Sequence, residues 1–192
     1  MTVNILIDAL PETITVSGKV FPIHSDFRTG ILFEQLIADK AIGNKKKLTC
    51  MLRLYLDDIP ADTDEAINQI ILFYQCGKQQ RKPTKTKSKK IQSEVYDFDE
   101  DDGYIYAAFL EQYGIDLNDI EYMHWWKFRA LFRALKADCE IVKIMGYRSV
   151  DLSKVKDKNE RSRLSRLKDL YALPNAMTTE DKVAAAGAIF GG

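Results

Sequence analysis

The spacing of apolar side chains changes several times along this 192-residue chain, and each change marks an element. Glu12–Val16 and Lys19–Ile23 are short runs rich in Thr, Val, Ile and Phe, separated by Ser17-Gly18. That pattern predicts a β-hairpin with a two-residue turn. Pro22 cannot donate to a ladder and so confines the second run to a sheet edge. The period then becomes helical. Ser25 is placed as the N-cap of a helix through about Asp39, closed by Gly43-Asn44. A second helix, about Lys46 to Asp57, carries Leu48, Met51, Leu52 and Tyr55 at core-facing spacing and ends before Pro60. Asp62 or Thr63 caps a third, with Ile67, Ile70, Ile71 and Tyr74 on one face and Gly77 as its stop.

Next the pattern is lost. Lys78–Lys90 holds seven basic residues, no acid and no large apolar side chain, whereas Glu94–Asp102 holds six acids and no base. The basic stretch cannot offset the entropy of ordering and reads as a linker. The acidic stretch suits the start of a helix, whose unpaired N–H groups favour carboxylates. A charged hook for another chain is the sharper reading of the same flip in polarity.

Helices resume over Phe98–Tyr113 and over Asn118–Leu135, the latter with Asn118 as cap and Glu121 in a capping-box position. A shorter one covers Cys139–Met145 and ends at Gly146. The last begins near Asp151 or Ser153, is firm by Glu160, and runs to Leu173 before Pro174. The expected fold is therefore α+β and predominantly α-helical: an N-terminal β-hairpin followed by about seven helices. Four segments are expected: 1–77 as hairpin plus helical half, 78–95 as linker, 96–174 as a second helical half, and 175–192 as a flexible tail.

Composition adds that a core is buried, since 46% of residues are apolar and 10% aromatic. With 28 basic and 28 acidic residues the net charge is zero, which argues against holding nucleic acid by bulk charge. Cys50, Cys76 and Cys139 are odd in number and far apart, and His24 and His124 stand a hundred residues from one another, so no metal-ligand spacing is present. No nucleophile elbow, P-loop, dinucleotide fingerprint or zinc-protease motif occurs. A non-enzymatic protein without cofactor or metal is expected. The N-terminus does not read as a signal peptide, and no apolar run reaches the ~20 residues of a membrane span, so an intracellular, soluble chain is expected.

Two segments invite a partner. On a helix from Asn118, one side gathers Ile120, His124, Trp125, Phe128, Leu131, Phe132 and Leu135, a complete core face. Tyr122, Trp126, Arg129 and Arg133 gather on another side. That second side is either core with arginines reaching its rim, or an aromatic and Arg surface of the type that anchors interfaces. These four are the candidate contact residues. The other segment, Lys154–Lys168, holds seven Lys/Arg against two acids beside an apolar seam of Leu164, Leu167 and Tyr171. It reads as a docked amphipathic helix with its basic side in water, with nucleic acid or an acidic protein as the alternatives for that side.

The string MHWWKFRALFRAL (Met123–Leu135), followed by IMGYRSVDLS (Ile144–Ser153) and LKDLYALP (Leu167–Pro174), resembles a family of bacteriophage proteins. The acidic-aromatic YDFDEDDGYIYAAFLEQYGIDL (Tyr96–Leu117) and the N-terminal FRTGILFEQL (Phe27–Leu36) belong to the same pattern. Genes of that family lie in tail-morphogenesis clusters of long-tailed phages and prophages of Gram-positive bacteria, just ahead of the tape-measure gene. The resemblance implies a tail-assembly chaperone in the host cytoplasm that binds the tape-measure protein, with self-association a further expectation. The alternative is a nucleic-acid-binding or regulatory phage protein acting through the basic C-terminal helix.

Overall fold

The computed structural model describes residues 3–77 and 95–174 together with Lys182, Ala184 and Ala185. Apart from Val95, the expected linker lies outside the described residues, as does most of the expected tail. The described chain forms two antiparallel strands, β1 (Thr13–Val16) and β2 (Lys19–Pro22), then α1 (Phe27–Ala38), α2 (Asn44–Tyr55) and α3 (Thr63–Tyr74). α4 (Asp102–Tyr113), α5 (Trp125–Arg133), α6 (Glu140–Ser149), a 3-10 turn (Leu152–Lys154) and α7 (Lys158–Leu170) follow. The α+β, mostly helical class with an N-terminal hairpin and seven helices is therefore found among the described residues.

The chain divides into two compact units. The first comprises residues 1–86, 121–131 and 182–192; the second comprises 87–120 and 132–181. Sequence reasoning assigned 96–174 to one half. Residues 121–131 instead cluster with the N-terminal elements, and the division falls within α5, after Leu131.

In the first unit the hairpin pairs Thr13 with Pro22 and Val16 with Lys19. Ser17 (φ 49°) and Gly18 (φ 76°) both lie in the left-handed region, as a type I′ turn requires. Ile14 and Val16 alternate inward, while the Ser17 N–H donates to the Glu65 carboxylate at 2.7 Å and ties the turn to α3. The caps agree only partly with expectation. Asp26, not Ser25, caps α1 by accepting from the Arg28 N–H. Asp62 caps α3 by accepting from the Glu65 N–H. α1 buries Phe27, Gly30, Phe33, Glu34 and Ile37, one stripe at helical spacing.

α5 completes this unit. Its entry is pinned by main-chain bonds in both directions: Phe27 N–H to the Met123 carbonyl (2.8 Å) and Trp125 N–H to the Ser25 carbonyl (2.7 Å). The helix begins at Trp125, six residues later than the Asn118 cap predicted. Asp116 explains the delay, because its carboxylate accepts from the N–H groups of Asn118 and Asp119 and holds those residues in a turn.

The second unit packs α4 on α6 and α6 on α7. Its centre is a bidentate pair in which Arg148 donates to both oxygens of Asp101 at 2.6 and 2.8 Å, with both side chains buried. The same guanidinium donates to the carbonyls of Tyr171 and Val95. Tyr96, Phe98 and Phe132 form an aromatic cluster beside it. Three boundaries differ from expectation. α4 starts at Asp102 rather than Phe98, since the Asp97 carboxylate draws the Asp99 and Glu100 N–H groups into a turn. α6 runs through Gly146 to Ser149, its last turn held by Arg148. The last helix starts at Lys158 on an Asp157 cap, while Asp151 caps only the 3-10 turn before it.

Close approach fixes one glycine. A Cβ on Gly30 would lie inside the Trp125 ring, so Gly30→Ala forces either helix α1 or the indole to move. The substitution should destabilise the first unit by about 1–3 kcal/mol in urea titration. Gly103→Ala in α4, with open space around its Cβ, should instead gain about 0.5–1 kcal/mol.

Candidate partner-binding surface

The Trp-Trp helix meets the end of α3, where the Phe73 carbonyl also accepts from the Cys76 N–H at 2.9 Å. The Trp125 indole N–H donates to the Tyr74 carbonyl at 2.9 Å, and that of Trp126 to the Phe73 carbonyl at 2.7 Å. Trp125 also stacks on Tyr74 and on Phe128. Trp126 lies beside Gly77, whose φ of 68° and short distance (2.9 Å from a Cβ to the ring) exclude a larger residue.

Arg129 enters a buried charge cluster. Glu34, on α1, accepts from the Tyr74 hydroxyl (2.8 Å) and from the Lys182 ammonium (2.7 Å). The Arg129 guanidinium stands 3.7 Å from the same carboxylate and lies over the Trp125 ring. Glu34, Arg129 and Lys182 are each at most 4% exposed. A carboxylate held by two cations and a hydroxyl is satisfied in a way that a lone buried charge is not. A sequence signal did exist for this cluster: Glu34 sits in the apolar stripe of α1, where an acid needs a partner.

The four candidate contact residues divide by burial. Trp126 is 6% exposed and Arg129 is 4% exposed, both held within the first unit. Tyr122 is 49% exposed, with its hydroxyl in a 2.8 Å hydrogen bond to Ser25. Arg133 is exposed and belongs to the second unit.

His124 is buried at the head of α5 and acts as its cap. The Trp126 N–H donates to Nδ1 at 3.0 Å, which leaves the proton on Nε2 to donate to the Pro11 carbonyl at 3.0 Å. Burial lowers its pKa below the ordinary 6.5, against the smaller upward pull of the Pro11 bond. This neutral imidazole serves structure, in line with the expectation that it is a satisfied core histidine.

What the first unit offers to solvent is an apolar turn that sequence reasoning overlooked. Asn4 organises it: its carbonyl accepts from the N–H groups of Ile7 and Asp8, and its side-chain oxygen accepts from the Leu6 N–H. The Asp8 carboxylate accepts from the Asn4 N–H at 2.7 Å and closes the loop. Leu6 and Ile7 are consequently held 87% and 81% exposed, flanked by exposed Val3 and Ile5. Its signal was legible as NILIDAL, an apolar run bracketed by Asn and Asp. Among the described residues, no helix is long and apolar enough to cross a membrane, and no group of His, Cys, Asp or Glu is placed to hold a metal ion.

These surfaces belong to a phage protein. A family model described as Bacteriophage Gp15 protein matches residues 6–173, so most of the chain, both units included, belongs to that family. Searches of curated proteins and of solved structures gave no match.

Two measurements check the structural roles. Trp126→Ala removes an indole and its bond to α3, and should cost about 3–5 kcal/mol in denaturant titration. For His124, the unfolded chain takes up protons as pH falls through about 6.5 while the folded imidazole resists them until lower pH. Stability should therefore be full above pH 7 and fall as pH drops toward 5. His124→Asn keeps a side-chain acceptor for the Trp126 N–H and should flatten that dependence.

Proposed function

We propose that this chain is a non-enzymatic tail-assembly chaperone that binds the phage tape-measure protein in the host cytoplasm. Membership of the Bacteriophage Gp15 family supports a phage role, and the resemblance carried by the Trp-Trp string and its flanks supports the tail-morphogenesis setting. The observation that carries the contact itself is the Asn4–Asp8 turn. Folded chains rarely hold adjacent large apolar side chains in water without use, and this turn spends four hydrogen bonds keeping Leu6 and Ile7 there.

A tape-measure protein is long and helical, with apolar seams that invite aggregation before the tube encloses it. Two adjacent aliphatic side chains on a firm turn suit insertion between the ridges of such a helix. Self-association of several copies along one partner belongs to the same reading. The contact residues are accordingly taken from the exposed set, Leu6, Ile7 and Tyr122, rather than from Trp126 and Arg129.

Co-expression with the tape-measure protein encoded downstream tests this. The wild-type chain should keep that protein soluble and co-purify with it. Leu6→Gln with Ile7→Gln should reduce co-purification by about tenfold or more, with an unchanged melting curve because neither side chain is packed. If the tape-measure protein is equally soluble without this chain and the two never co-purify, the reading is lost.

A further inference from the structure

Among the described residues, the basic last helix presents a face on which no other helix packs. α7 has thirteen residues and buries none of them fully. At 100° per residue, Leu164, Lys168 and the following Tyr171 share the side that docks. Lys168 donates to the Val150 carbonyl at 2.9 Å, and Tyr171 stacks on Tyr147. Next to that side, Asn159, Ser162, Arg163 and Arg166 together with half-buried Leu167 line one shallow concavity of about 470 Å³. Their spacing, i, i+3, i+4, i+7 and i+8, is the stripe by which one helix receives another. Leu170 lies on the same stripe, 72% exposed.

Charge says what fits there. Lys154–Lys168 carries an excess of five positive charges. Arg163 is clamped by Glu160 through two 2.8 Å bonds, which raise its pKa further and hold its guanidinium extended along the helix. Arg166, one turn on, is exposed. Two arginines a turn apart beside two leucines call for carboxylates and aliphatic side chains at matching intervals.

We propose that this face of α7 is a docking surface for an acidic amphipathic helix of a partner protein. The proposal goes beyond the tape-measure reading and does not depend on it. Nucleic acid fits less well, since the stripe interleaves its arginines with leucines instead of presenting a continuous run of cations to a phosphate backbone.

The test uses the full chain and a fluorescein-labelled synthetic helix of about 20 residues bearing Glu and Leu in the matching stripe. A charge-reversed Lys helix and a DNA duplex serve as the comparison probes. Wild-type protein should bind the Glu helix at least about tenfold more tightly than the Lys helix. Arg163→Glu with Arg166→Glu should exchange that preference. Leu170→Gln should weaken binding severalfold without exchanging it. These side chains are exposed or half-buried, so melting should stay cooperative, and Leu170→Gln serves as a second reading if the charge reversal perturbs the helix. Absence of binding to the Glu helix, equal affinity of the charge-reversed and wild-type proteins for it, or tighter binding of the duplex with a steep salt dependence would each overturn the proposal.

Discussion

Two indole N–H groups on consecutive residues hold the first unit together. Trp125 and Trp126 donate to the carbonyls of Tyr74 and Phe73, so one helix start satisfies another helix's end across about fifty residues of sequence. Buried carbonyls at a helix C-terminus are expensive unless paired. Phe at either position would fill the space and leave one of them without this donor. The rest of the unit is arranged around this contact. Gly30 gives up its side chain to let the Trp125 ring lie on α1, and Gly77 adopts a left-handed conformation beside Trp126. Asp26 both caps α1 and accepts from the Met123 N–H, which aims α5 at the site.

That dependence explains which parts of the fold were legible from sequence. Where an element is made by local chemistry, reading succeeds: the Ser17-Gly18 turn, the Asp62 cap and the Leu/Met/Tyr stripe of α2 need only neighbours in the chain. Boundaries failed where an aspartate had two uses. Asp97 and Asp116 each sit where a helix start was expected, and each spends its carboxylate on a turn instead. The burial of two candidate contact residues was illegible for a different reason. Trp126 and Arg129 stand on a second face of their helix, and a helix with two rich faces is either central or sticky. What makes it central is Glu34, far away in sequence, which supplies a buried carboxylate beside Arg129. No periodicity within α5 contains that fact. A Glu within the apolar stripe of α1 was its only local sign.

The same separation applies to charge. A net charge of zero suggests an electrically plain molecule, yet the charges fall into two populations. Glu34 with Lys182 and Arg129, and Asp101 with Arg148, are buried and hydrogen-bonded. Such groups add little net stability relative to apolar packing but penalise every arrangement that leaves one unpaired, so they select one fold. Charges on the surface, those along α7 among them, lie at or near water and are screened there, and these can meet a partner. Averaging the two populations hides the asymmetry on which recognition rests.

An aromatic string is an attractive place to seek function, but here the geometry withdraws both tryptophans from solvent. Both tryptophans, the side chains most typical of interface hot spots, are consumed in carbonyl contacts and stacks, and the most exposed large apolar side chains are the aliphatic Leu6, Ile7 and Leu170. Under the proposed chaperone reading, this division makes functional sense, because such a protein must let go of its partner. Large aromatic anchors in a deep interface give long residence times. On that reading, Leu6 and Ile7 on a turn, or Leu170 one turn beyond Arg166, would bury modest areas and lean partly on contacts that ionic strength can weaken. Tight aromatic contacts that never need to break are then kept for the fold, while weak, separable ones are left for a partner that has to be released.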